Sequence, residues 1–260
     1  MKLRMDLEQA EEWRKRTSAE SYIAEEVFFR HSDLFLKNYD QIKEAVNAAL
    51  NSNINKQEFG FQKKKLKKET YYKRRIKAKP LNEAIRVNFK RSSLDFKYEV
   101  TFSDGVFDYS PKTEGFDFAY YDDRYNLVNF RNLCFGYRPL YNGKKIWETK
   151  LKGETYWSDL IKDNQWNNVE GQDIEIKKLI PTVLGEIQFG NWGLVYRDIL
   201  KVIQIERHID VDLFIYITAT GNLSDAISDS TVSYRKTKSI FEEYKGVLNV
   251  PIWLIGLDIK

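Results

Sequence analysis

The chain is expected to be an α/β protein: a mixed β-sheet flanked by helices, preceded by an N-terminal accessory region that is partly helical and partly β-rich. Three observations predict this. Asp212-Leu-Phe-Ile-Tyr-Ile-Thr218 and Val250-Pro-Ile-Trp-Leu-Ile-Gly-Leu257 are apolar on both faces, as strands in the middle of a sheet are. A charged segment of helical periodicity near 232–245 lies between them and would supply the crossover joining parallel neighbours. Finally, Val183-Leu-Gly-Glu-Ile-Gln-Phe-Gly-Asn191 reads as an apolar strand carrying Glu186 and Gln188, two positions apart, on one face.

In chain order, residues 19–50 read helical, because Tyr22, Ile23, Val27, Leu34, Ile42, Val46 and Leu50 recur near helical spacing and Ser32-Asp33 can restart a second helix. A basic block follows at 63–79. Residues 85–150 then offer strand-like pieces, Ile85-Arg-Val-Asn-Phe, Phe96-Lys-Tyr-Glu-Val-Thr-Phe and Phe116-Asp-Phe-Ala-Tyr-Tyr, with turn signals at Ser103-Asp-Gly and Tyr141-Asn-Gly. The aromatic residues of this stretch suit a small core. The organisation changes near residue 155, which divides the chain into an accessory region, 1–154, and a core, 155–260. In the core, strands near 172–177 and 183–189 are expected to form a hairpin. A helix near 192–206 follows, with Leu194, Val195, Ile199, Leu200 and Ile203 inward, then strand 211–219, helix 232–245 and strand 251–258.

Composition narrows the function classes. The single cysteine, Cys134, excludes an internal disulfide, and with only two histidines, His31 and His208, a structural zinc centre is not expected. No apolar run approaches the roughly 18 residues of a membrane span, and Met1-Lys-Leu-Arg-Met-Asp lacks a signal-peptide core, so a cytoplasmic protein without a membrane partner is expected. Charge is unevenly placed. Residues 63–79 contain ten Lys or Arg and one acid, a local +9 in a chain of net +4, so the remainder is acidic. Such a block, including Lys63, Lys64 and Lys65 with Tyr71 and Tyr72 nearby, can replace counterions along a phosphate backbone and give affinity without sequence preference.

The chemistry starts from Glu186. A carboxylate on an apolar strand costs several kcal/mol to bury unless it is paired or bound to a cation. Further acids, Asp173 and Glu175, stand upstream in Gln172-Asp-Ile-Glu-Ile-Lys-Lys178. Two converging acids suit Mg2+, which takes one or two carboxylates completed by water and phosphate oxygens.

Read onward, the order is Glu186-Ile-Gln188-Phe-Gly-Asn191, a helix, the strand from Asp212, Ser228-Asp-Ser-Thr-Val-Ser-Tyr234, a charged helix and the strand from Val250. Over about residues 160–258 this resembles the BglII-like type II restriction endonucleases, the BamHI/BglII branch of the PD-(D/E)XK nucleases, which carry Glu-X-Gln where most members carry an acid and a lysine. The resemblance implies a restriction-endonuclease-like fold and Mg2+-dependent hydrolysis of phosphodiester bonds in double-stranded DNA at a short palindrome. It further implies a homodimer, and a cognate methyltransferase that protects host DNA.

Carried over by position, the resemblance makes Glu186 a metal-binding acid and puts Gln188 in the place of the usual lysine. The first acid is either Glu175, favoured by its place in Ile-Glu-Ile-Lys, or Asp173, favoured by acid identity. Both are candidate catalytic and metal-binding residues. Asn191 and the loop residues Ser228, Asp229 and Ser230 correspond to base-contacting positions, and Ser228-Asp-Ser-Thr also suits a helix N-cap. A neutral Gln188 can orient water by hydrogen bonding but cannot deprotonate it, and Lys177 and Lys178 are available as cations. Two other activities fit the same residues: a sequence-specific DNA-binding protein with impaired cleavage, and a structure-selective repair nuclease.

Overall fold

The computed structural model describes residues 4–55, 59–66, 69–109, 115–153, 155–163, 166, 169–227 and 232–260. The first half contains β1 (Arg4–Met5), α1 (Leu7–Lys15), β2 (Ser18–Phe29), α2 (Ser32–Asn38), α3 (Asp40–Leu50), β3 (Asn53–Asn55), β4 (Phe59–Leu66), β5 (Glu69–Ile76), α4 (Ala78–Lys90), β6 (Lys97–Ser103), β7 (Val106–Tyr109) and β8 (Phe116–Tyr120). Then come α5 (Asp123–Phe135), α6 (Gly143–Gly153), α7 (Thr155–Asp163), β9 (Val183–Gln188), α8 (Gly193–Glu206), β10 (Leu213–Ala219), α9 (Gly221–Ala226), α10 (Tyr234–Tyr244) and β11 (Ile252–Ile259).

The fold is mixed α/β. One eight-stranded sheet runs β3-β2-β11-β10-β9-β8-β6-β7, and a three-stranded sheet runs β1-β5-β4. β9, β10 and β11 are mutually parallel, with α8 joining the first pair and α9 and α10 the second, while β8 and β2 close the two sides antiparallel. All three parallel strands are buried along their length, as their unbroken apolar sequences require. Against one face of the sheet pack α1, α3, α4 and the small sheet, through Trp13, Ile42, Val46, Ile85 and Phe89. Against the other pack α8 and α10, through Val195, Ile199, Val202, Ile240 and Phe241. Helices α5 to α7, with Val106 of β7, close a smaller core around Phe130, Trp147 and Trp157.

Several elements differ from the sequence-based expectation. Residues 18–29 form β2 rather than a helix: this strand pairs with the whole of β11, from Ser21 opposite Ile259 to Phe29 opposite Ile252. Long-range pairing with a buried central strand outweighs a chance helical spacing. Ile85-Arg-Val-Asn-Phe is the end of helix α4. Leu81, Ile85 and Phe89 are buried at four-residue spacing, whereas Val87, which made the short run look alternating, is 44% exposed. The Asp104-Gly105 turn does join β6 to β7, with both residues in the left-handed region, but Tyr141-Asn-Gly opens helix α6. On α8 the buried positions are Val195, Asp198, Ile199, Val202 and Ile205, while Leu200 faces solvent.

A division at residue 155 does not describe the sheet. Strands β2, β3, β6, β7 and β8, all before that point, share it with β9, β10 and β11. The expected hairpin between 172–177 and β9 is also absent, because both edges of β9 are already taken, by β8 on one side and β10 on the other. The 169–180 segment is instead tied to α5. Asn132 exchanges two 2.9 Å hydrogen bonds with the backbone of Ile174, as a neighbouring strand would, and buried Arg131 donates to the carbonyls of Val169 and Gln172.

Candidate active site at the exit end of the parallel strands

Glu186 and Gln188 lie near the C-terminal end of β9 and are 4% and 7% exposed. In the parallel register Glu186 neighbours Tyr216, and Gln188 neighbours Thr218, so these side chains share the sheet face covered by α8. From α8 come Asp198, which is fully buried, and Lys201, one turn later. Lys201 pairs with Glu186 and also lies 3.4 Å from Asp198. Asp198 accepts from the Tyr216 hydroxyl at 3.1 Å and from Gln188 Nε2 at 3.3 Å. Gln188 Oε1 accepts the Gly190 N–H at 2.9 Å, so both ends of its amide are held.

The second acid of the site comes from β8. The β8–β9 ladder pairs Phe118 with Gly185, and the next step outward brings Asp117 beside Glu186. There Asp117 Oδ2 accepts the Ile187 N–H at 2.6 Å, while Asn82 of α4 donates to the Ile187 carbonyl at 3.0 Å. Asp117 is also ion-paired with Arg86 of α4. Gly185 permits this close approach of the strands: a Cβ there would lie 2.0 Å from Phe118 Cζ.

The electrostatics are those of crowded acids. Burial, followed by the charges of Asp198 and Asp117, raises the Glu186 carboxyl well above its ordinary range, with Lys201 pulling in the opposite direction. Burial, followed by the charges of Asp198 and Glu186 and then of Asp117, also raises the Tyr216 phenol, which keeps it a donor. Burial works against the Arg86 charge, but Asp117 and Glu99 outweigh it and leave its pKa raised.

Among the described residues, no group of three or more His, Cys, Asp or Glu side chains is arranged to hold a metal ion. The donor set nonetheless suits a hard divalent cation. Asp117 and Glu186 are carboxylates on adjacent strands whose mutual repulsion a cation would relieve, and magnesium needs only one or two protein carboxylates.

Asp173 and Glu175 are exposed and are not brought to Glu186. Asp173 accepts the Tyr137 N–H at 2.9 Å and shares a cleft with His208 and Asp210, which precede β10, at the opposite end of the parallel strands from Gln188. Of the two cations beside them, Lys178 is 2.5 Å from Asp212. Asn191 is exposed, and its Oδ1 accepts the Gly193 N–H at the start of α8. Ser228, Asp229 and Ser230 lie outside the described residues. The adjoining chain is anchored nearby, since Val232 N–H donates to the Gly190 carbonyl at 2.9 Å.

The basic block is built mainly on the β4–β5 hairpin rather than an unstructured linker. Lys63 is exposed on β4 opposite Tyr72, and Lys64 and Lys65 continue the strand, their side chains lying outside the described residues. Arg74 packs over Trp13 of α1.

Asp117, Asp198 and Lys201 were not singled out from the sequence, yet a signal was present. Asp117 interrupts the apolar run Phe116-Asp-Phe-Ala-Tyr-Tyr, and Asp198 interrupts the apolar face of α8, just as Glu186 interrupts its strand.

Among solved structures, the chain is similar to the restriction endonuclease BglII in its complex with a DNA 16-mer, at 14% identity and a TM-score of 0.43, over 89% of this chain and 76% of that one. No curated protein sequence matches it. The sequence does match the family described as restriction endonuclease BglII/BglIII, over residues 24–257. A match spanning nearly the whole chain shows that this protein belongs to the BglII/BglIII restriction endonuclease family.

Proposed function

We propose that the protein is a type II restriction endonuclease that hydrolyses phosphodiester bonds of double-stranded DNA at a short palindromic site, with Mg2+ held by Asp117 and Glu186. The observation that carries this is the meeting of buried Glu186 and partly buried Asp117 beside Gln188, on adjacent strands, in a chain of this family. Asp117 and Glu186 would hold the cation, which when bound would supply charge neutralisation at the scissile phosphate and a lower pKa for the attacking water. The chain's own groups do the positioning. The Ile187 N–H fixes Asp117, and Asp198 and the Gly190 N–H fix Gln188, whose amide can orient water but not deprotonate it.

Asn191 and the loop of Ser228, Asp229 and Ser230 would read bases, because Asn and Asp match base-edge donors and acceptors in the major groove. Their neighbours Gly190 and Val232 are hydrogen-bonded to each other at the exit end of β9, which supports a common role. Lys63, Lys64 and Lys65 would bind backbone phosphates. A homodimer matches the twofold symmetry of a palindrome. A cytoplasmic location and a protective methyltransferase partner complete this reading. Among the described residues no helix is long and apolar enough to cross a membrane.

The test is to incubate the protein with long DNA of mixed sequence and Mg2+, then sequence the fragment ends. Ends at one recurring palindrome are expected. Random ends would replace this reading with a non-specific or structure-selective nuclease, and no ends, with binding retained, with a non-cleaving DNA-binding protein.

A further inference from the structure

We propose that Lys201 is the resident counter-cation of the acid cluster, competing with the divalent metal for Glu186 and shifting onto Asp198 when the metal is bound. The proposal rests on the reading of Glu186 as a metal ligand.

The geometry provides both positions of such an exchange. Lys201 Nζ pairs with Glu186 and lies 3.4 Å from Asp198 Oδ1, so one ammonium serves two carboxylates. It also donates to the Gly115 carbonyl at 3.1 Å and sits 4.6 Å from the centre of the Phe116 ring. Neither of these two interactions involves Glu186. Losing Glu186 to a metal would therefore leave Lys201 with an acid, a carbonyl and an aromatic face, all within its present reach. Asp198 is anchored by its own partners, Tyr216, Gln188 and Arg197, whose guanidinium lies 3.3 Å from Asp198 Oδ1, so it does not move with Glu186.

The chemistry requires a cation at this place. Glu186 and Asp198 are buried on facing elements, and a buried carboxylate left without a partner costs several kcal/mol. The position two residues after Glu186, where a lysine could stand, holds Gln188 instead, and both ends of its amide are already engaged. From the helix, Arg197 supplies positive charge to Asp198, and Lys201 supplies it to Glu186. In doing so Lys201 places a positive charge on the Glu186 carboxylate, at Oε1, which repels an incoming metal ion.

Binding of Mn2+ followed by electron paramagnetic resonance, without DNA, tests this. Lys201→Met should tighten Mn2+ binding at least tenfold, whereas Lys97→Met, removing a lysine paired with Asp123, should leave it unchanged. Melting temperatures give a second readout. Lys201→Met should lower the metal-free value clearly and the value at saturating Mg2+ much less. Unchanged or weaker Mn2+ binding in folded Lys201→Met, or equal losses of stability with and without metal, would overturn the proposal and leave Lys201 a structural lysine. Should Lys201→Met not fold, Lys201→Gln is measured in the same way and judged by the same outcomes. Glu186→Gln separates the two readings. If it binds Mn2+ as the parent does, Glu186 is not a ligand and both readings fail; if it loses binding while Lys201→Met changes nothing, only the exchange fails.

Discussion

Asp117 Oδ2 accepts the backbone N–H of Ile187 at 2.6 Å across 70 residues of sequence. One hydrogen bond thus joins β8 to β9 just beyond their last ladder pair and sets an acid beside Glu186. Between these strands the described residues form helices α5, α6 and α7, which pack a smaller core with Val106 of β7. The pair is therefore local in space and remote in sequence.

This relationship predicts which acids matter. Asp117→Ala and Glu186→Ala should each lower the cleavage rate by roughly a thousandfold or more, the loss of several kcal/mol of transition-state stabilisation. Both should keep sequence-specific binding, measured by gel shift in Ca2+. Asp173→Ala and Glu175→Ala, at the other end of the strands, should cleave at near the parental rate. The opposite ranking in a single-turnover assay would return the site to the 173–175 segment.

Gly185→Ala should cost about 1–3 kcal/mol in urea denaturation, the usual penalty for overpacking, because its Cβ would meet the Phe118 ring. It should also impair cleavage well below its melting temperature, since the fit of Gly185 against that ring sets the distance between β8 and β9. Parental activity with reduced stability would show that the strand spacing is not critical.

The raised Glu186 carboxyl gives a pH dependence of known sign. Its folded pKa lies above the unfolded one, so its contribution to stability is complete below the unfolded value and is lost as pH rises through the folded value. Metal-free Glu186→Gln should therefore gain stability relative to the parent as pH rises from acid to neutral. Added Mg2+ should stabilise the parent and not the variant. Thermal melts across pH that run parallel for the two proteins would contradict the shift.

Neutralising Lys63, Lys64 and Lys65 together should weaken binding to every duplex alike. The salt slope should fall by roughly 0.9 for each phosphate that the variant no longer neutralises. The cut sequence should not change. A triple variant with the parental slope would show that the β4–β5 hairpin does not touch DNA.

The centre of the molecule follows from short stretches of sequence. β9, β10 and β11, with α8 and α10, are legible because continuous apolar runs and helical periodicity are local properties of the chain. Glu186 and Gln188 stood out for the same reason, as polar residues breaking an apolar strand. What surrounds them depends on long-range packing. Pairing of β2 with β11 turned an expected helix into a strand, and β8 took the edge of β9 that the 172–177 segment was expected to occupy. Edge pairing depends on competition among distant segments for backbone hydrogen bonds, and short windows of sequence do not record that competition. The partners of Glu186 were decided in the same way: Asp117, Asp198 and Lys201 reach it from another strand and from a helix, and only the packing of those elements brings their charges together.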